Sequence, residues 1–91
     1  MKVRVFGTLR QTVAAKDIEI GLQAHDTVGS VLQRLAAEYP ALGERLLDGE
    51  GKPRNSVHVL VNGRSIQFLD GPNTPIQEGD RFSLFPAVGG G

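Results

Sequence analysis

Hydrophobic and polar positions alternate in four stretches of the chain and repeat at helical spacing in one. In "KVRVFGTL", Val3, Val5 and Gly7 fall on one side and Lys2, Arg4, Phe6 and Thr8 on the other, the period of a half-buried strand. "DIEIGL" repeats the pattern, with Ile18, Ile20 and Leu22 inward and Asp17, Glu19 and Gly21 outward. The polar stretch between them, residues 10–16, reads as a hairpin connection, although no Asn-Gly or Asp-Gly pins its turn. In "HDTVGSVLQRLAAEYP" the period changes. Val28, Val31, Leu32, Leu35, Ala36 and Tyr39 lie on one face of a helix. Asp26 or Thr27 can cap its first turn with a side-chain oxygen, and Pro40 stops it by forcing Tyr39 out of the helical region.

"ALGERLLD" predicts a short second helix or a single turn with Leu42, Leu46 and Leu47 inward, followed by a surface loop in "GEGKPRN". "SVHVLVNGRSIQFL" predicts a hairpin. Its strand Val57–Val61 meets Asn62-Gly63, residues that tolerate the positive φ of a type I′ turn. "DGPNTPIQEGD" is turn-rich, with Ile76 its one clear core residue. "RFSLFP" closes the pattern as a strand, with Phe82 and Leu84 on one face and Arg81, Ser83 and Phe85 on the other. One helix must then cover one face of one mixed sheet of about four to five strands, because nothing else in the chain can bury the apolar faces. The first and last strands are expected side by side and parallel at its centre. This is an α+β architecture of the ubiquitin-like β-grasp type.

Composition narrows the function classes. Ninety-one residues make one domain, and ten basic residues cancel ten acidic ones. A neutral chain has no electrostatic footprint for nucleic acid or an anionic membrane. The absence of cysteine removes disulfides, thiolate metal sites and a Cys nucleophile. No signal-like run opens the chain, and no stretch approaches the about 20 apolar residues that cross a bilayer. The expected location is the cytoplasm.

Ordinary catalytic chemistry is hard to assemble from these residues. His25 and His58 stand in different settings with no carboxylates to join them into a ligand set, and the acidic residues are scattered. No Gly-rich loop has the spacing of a phosphate-binding motif. No bound cofactor or metal is expected. Two features remain. Phe6 and Phe85 both fall on the outward side of their strands, and if those strands are neighbours the rings form a docking patch on an open sheet face. The chain ends "FPAVGGG". Pro86 stiffens the exit from the last strand, and glycines carry no side chain to obstruct a narrow channel. A rigid body with a thin, carboxylate-tipped tail has the shape of a group carrier.

In order along the chain, "VFGTLR", "DTVGSVLQRLAAEYP", "VLVNGRSI", "TPIQEGDRFSLFP" and "PAVGGG" resemble the sulfur-carrier branch of ubiquitin-like proteins, which includes the molybdopterin synthase small subunit, the thiamine sulfur carrier, the cysteine-biosynthesis carriers and the archaeal small modifiers. The resemblance implies a β-grasp domain over residues 1–86 and a flexible Gly-rich tail over residues 87–91. It implies that an activating enzyme of the ubiquitin-activating type uses ATP to adenylate the Gly91 carboxylate, and that sulfur then replaces AMP to give a thiocarboxylate. Gly90 and Gly91 match the family's diglycine, with Gly89 as spacer. Phe6 and Phe85, with Pro86 beside them, match the face that meets partners. The long "LLDGEGKPRNS" segment leans toward the molybdopterin or cysteine pathway, with the molybdopterin synthase large subunit or another sulfur acceptor as second partner. The chain is expected to be a carrier and no enzyme itself. A modifier joined to target lysines shares the first step and stays open, as does an interaction module with an inert tail.

Overall fold

A computed structural model describes residues 1–87. The sequence-based expectations for Gly89, Gly90 and Gly91, and for the tail as a whole beyond Ala87, fall outside the described residues.

The elements run β1 (Lys2–Val5), α1 (Arg10–Val13), β2 (Asp17–Glu19), α2 (Val28–Glu38), α3 (Pro40–Leu46), β3 (Val57–Val61), β4 (Arg64–Ser65) and β5 (Phe82–Pro86), with short 3₁₀ turns at Gly7–Leu9, Ile66–Phe68 and Gly71–Asn73. The five strands form one sheet in the order β2-β1-β5-β3-β4. β1 and β5 are parallel, with Val3 opposite Phe82 and Val5 opposite Leu84, while β1–β2, β3–β5 and β3–β4 are antiparallel. The expected parallel pair of first and last strands is therefore present at the sheet's centre.

Alternation decides which face is buried. Val3, Val5, Ile18, Val57, Val59, Val61, Phe82 and Leu84 turn inward and meet Val28, Val31, Leu32 and Leu35 of α2 and Leu42 and Leu46 of α3. Leu22 and Leu47 pack partly buried at the margin. The two helices bury the apolar face of the sheet, the layered solution open to a domain of this size. Ile76 is buried as expected, and Asn62 and Gly63 make the β3–β4 turn at φ values of 53° and 83°.

The segment after β1 departs from the expected pattern. The strand ends at Val5, although Phe6 is still extended and its amide donates to the Leu84 carbonyl at 3.0 Å. Gly7 then takes a φ of +58°, and residues 7–13 form a 3₁₀ turn continuing into α1 rather than a simple hairpin connection. Leu9 supplies the reason, since the helical turn carries it to full burial in the core, where an open loop would leave it in water. Pro40 ends α2 as expected but also begins α3 at its first position, where a missing N–H costs nothing.

The two candidate caps of α2 divide their work. Thr27 is the cap. Its Oγ1 accepts from the Ser30 amide at 3.3 Å, while the Thr27 amide donates back to Ser30 Oγ at 2.8 Å. Asp26 is buried instead, and its carboxylate accepts from the Gln23 amide, the Ser30 hydroxyl and both terminal nitrogens of Arg34, at 2.7 to 2.9 Å. The Arg34 fork, then the Gln23 amide, hold the carboxyl well below the usual aspartate range against a desolvation that opposes them. Arg34 also donates to the Gly21 carbonyl, so one ion pair ties the β2–α2 connection to the middle of the helix.

Asp26→Asn leaves Arg34 facing a neutral amide and is expected to lower unfolding free energy by about 2 kcal/mol, roughly 10 °C in melting temperature. Because the folded carboxyl titrates below its unfolded value of about 3.9, its contribution is complete above that pH and fades as pH falls below it. Thermal melts of wild type and variant should converge on acidification; a gap unchanged down to about pH 2 would contradict this account.

Candidate functional site

The face of the sheet opposite the helices is open. Register places Arg4 beside Ser83 and Ser83 beside Leu60, with His58 opposite Phe85 in the next row. Phe6, carried one residue past β1 and still bonded to β5, comes level with Phe85. The two rings stack nearly parallel, with centroids 4.0 Å apart and planes 8° from each other. Each is half-buried, and the stacked rings form one aromatic patch rather than two separate rings. Stacking of this kind contributes about 0.5–1.5 kcal/mol beyond area burial.

Gly7 and Arg10 also hold the pair, and the pattern reading did not assign them to the site; Pro86 is where the resemblance implied. Gly7 lies against Pro86. A Cβ on Gly7 would stand 2.8 Å from the Pro86 ring carbon, and its φ of +58° already disfavours any other residue. Pro86 itself is the last residue of β5, paired with Val57, so the strand runs up to the start of the tail. The Ala87 amide donates to the Ser56 carbonyl at 2.8 Å, which fixes the direction in which the chain leaves the sheet. Arg10 donates from Nε to the Val5 carbonyl at 2.7 Å and sets its guanidinium 5.5 Å from the centre of the Phe6 ring. That distance is within cation–π range, so Arg10 braces the stack from α1. The signal in the sequence was the run "FGTLR": a lone glycine at the end of an alternating strand, with an arginine one helical turn later.

Beside the aromatic pair lies a shallow depression of about 450 Å³, floored by Ser83 and Leu60 and rimmed by Lys2, Arg4, Arg81 and one acid, Asp80. Arg4 is held by Asp17 at 3.0 Å, a bond that lowers the Asp17 carboxyl and raises the guanidinium. With Arg4 exposed, that pair orients the side chain more than it stabilises the fold. A small floor, aromatic walls and a mainly basic rim suit a protein surface better than a reacting substrate. Among the described residues no group of three or more His, Asp and Glu side chains could hold a metal ion, and no helix is long and apolar enough to cross a membrane. His25 sits exposed in a turn at φ 65°, and His58 points outward from β3. The structure brings Phe6, Phe85 and Pro86 together and leaves both histidines apart from each other and from any acid cluster.

The model of the ThiS family matches residues 3–91. Small archaeal modifier protein 3 of Haloferax volcanii is 46% identical over 92 aligned positions, covering 100% of this chain and 98% of that protein. Sulfur carrier protein CysO of Mycobacterium tuberculosis is 40% identical over 68, covering 72% of this chain and 73% of its own. Among solved structures, SAMP1 from Haloferax volcanii superposes with a TM-score of 0.85 at 27% identity, covering 99% of this chain and 97% of that one. With a parallel β1–β5 pair, helices on one face and a near full-length family match, the chain belongs to the ThiS family, in the sulfur-carrier branch of ubiquitin-like β-grasp proteins.

Proposed function

We propose that the protein carries sulfur on the carboxylate of Gly91. In this reading an activating enzyme docks on the Phe6–Phe85 face and receives the tail in its ATP site. The Gly91 carboxylate attacks the α-phosphate of ATP, pyrophosphate leaves, and the acyl adenylate forms. A sulfur nucleophile then displaces AMP, leaving a thiocarboxylate for an acceptor enzyme. Gly90 and Gly91 are the working residues, Gly89 is spacer, and the chain holds no cofactor of its own.

One observation carries the reading: a stacked aromatic pair on the open sheet face stands beside Pro86, where the strand that leads to the terminal glycines ends. The geometry of a half-buried aromatic pair on the open sheet face, with a mainly basic rim, supports docking, and the carboxylate-tipped tail supports activation. The acceptor we favour is the molybdopterin synthase large subunit, with a cysteine-pathway or thiamine acceptor as the alternative within the same class. The cytosol supplies the ATP this requires. The 46% identity to an archaeal modifier favours one second reading, in which the same adenylate is passed to target lysines as an isopeptide.

Incubation with the activating enzyme, ATP and a sulfur source should replace one oxygen by sulfur in the intact mass, and deletion of Gly91 should abolish the change. Thiolation of the truncated chain at its new end would refute the assignment. Gly-Gly remnants on lysines of other proteins in cell extract would favour the modifier reading.

Phe85→Ala and Phe6→Ala should each raise the KM for activation about tenfold with kcat little changed, since each removes docking area and not the reacting group. Because the rings share one surface, the double variant should cost less than the sum of the two. Steady-state adenylation assays check this; an unchanged KM in both single variants would remove the aromatic pair from the docking surface.

A further inference from the structure

The far edge of the sheet plays no part in the site described above. β3 has five residues, but β4 pairs only with Leu60 and Val61. Among the described residues, 57–59 therefore have β5 on one side and no strand on the other. The direction of their backbone groups follows from two bonds. The Asn62 amide donates to the Arg81 carbonyl, and the Ser56 carbonyl accepts from the Ala87 amide. Even-numbered residues of this strand thus turn their peptide groups toward β5, and the odd-numbered Val57 and Val59 turn theirs to the open edge. The Val57 amide folds back to the Arg54 carbonyl at 3.4 Å. The Val57 carbonyl and the Val59 amide face outward along the edge.

Beside that edge runs a groove of about 420 Å³. Val59, Ile66 and Pro72 give it an apolar floor, and Lys52 and Arg54 stand at its rim. Among the described residues no acidic side chain lines it; outside the lining, Glu50 stands 3.8 Å from the Lys52 ammonium in an exposed pair of the kind worth little. Phe68, which follows the groove residue Gln67 directly in the chain, is the one large hydrophobic side chain exposed among the described residues, at 83%. An open strand edge, an apolar floor and two exposed cations at the rim together define a surface for an extended peptide.

We propose that the β3 edge binds an extended acidic segment of a partner protein. The segment adds as a strand beside residues 57–59, sends alternate apolar side chains into the groove and sets its carboxylates against Lys52 and Arg54. A second copy of this chain fits less well, because the edge it would offer, Val57-His58-Val59, carries no carboxylate to set against Lys52 and Arg54. The proposal stands apart from the tail reading: neither Lys52 nor Arg54 belongs to the Phe6–Phe85 face.

The test uses the ¹⁵N-labelled full chain. It is titrated with a synthetic peptide alternating valine and glutamate, and with the same peptide carrying lysine in place of glutamate. The acidic peptide should shift amides of residues 57–59 and 66–68, and the basic peptide should not. The double variant Lys52→Glu/Arg54→Glu should weaken binding about tenfold or more at low salt, and added salt should weaken the wild type in the same way. Because Arg54 Nε also donates to the Glu44 carbonyl, Lys52→Glu alone serves as the second variant and should weaken binding in the same direction. Equal response to both peptides, shifts confined to the Phe6–Phe85 face, unchanged affinity in Lys52→Glu, or no shift at millimolar peptide would overturn the proposal. So would a sedimentation result showing that the chain dimerises through this edge.

Discussion

The parallel pairing of β1 with β5 is the constraint on which the rest of the molecule depends. It joins the two ends of the chain at the centre of the sheet, and a parallel pair can close only through a long crossover. Everything between residues 6 and 81 is the material of that crossover. The pair is entropically costly to close, since its partners lie at opposite ends of the chain, and only burial under α2 and α3 offsets the cost. Once closed, it sets Val3, Val5, Phe82 and Leu84 into the core and, by the same alternation, sets Phe6 and Phe85 outward in adjacent rows. The buried face and the displayed face are two consequences of one register.

That coupling explains how a small surface feature can be well positioned without being strongly bound. Aromatic stacking and the Arg10 contact each supply about 1 kcal/mol, too little to define a geometry on their own. The rings are placed by the core beneath them, and the contacts among Phe6, Phe85, Arg10, Gly7 and Pro86 only refine the placement. The Ala87–Ser56 bond carries the order of the sheet to the last described residue. Ala87 therefore stands at a fixed point next to the strand that carries Phe85, which is what the proposed carrier role requires.

The two ends of the sheet are finished differently. At the β2 side, the connection into α2 is locked by the buried Asp26–Arg34 pair and the Thr27–Ser30 capping box. At the β3 side, β4 stops after two residues and leaves part of an edge beside a basic, apolar-floored groove. An edge left partly unpaired is an aggregation hazard unless it is charged or used. The lysine and arginine at its rim protect it and, in our proposal, also choose what may pair with it.

Local physics was legible in the sequence. Period-2 alternation in "KVRV", "VHVLV" and "FSLF" and period-3.6 spacing in "VGSVLQRLAAEY" determined the strands, the helix and most of the core, because burial of an apolar face depends only on spacing along one element. The Asn62-Gly63 turn was legible for the same reason: a two-residue hairpin needs positive φ there, and these residues accept it. The outward Phe6 and Phe85 pointed to the aromatic pair on the open face. Alternation carries the first strand on to Thr8 and leaves residues 10–16 as a plain connection, because it cannot show that Leu9 has a place in a core assembled from distant elements. Asp26 looked like a cap because its ion-pair partner lies eight residues on, within reach only once the helix has formed. The stacking distance and the contact of Gly7 with Pro86 arise between segments far apart in the chain, and the Arg10 brace depends on the turn that follows Gly7. The sequence by itself determined which elements form and which faces they bury; their mutual placement was decided by tertiary structure alone, because it depends on closing β1 against β5.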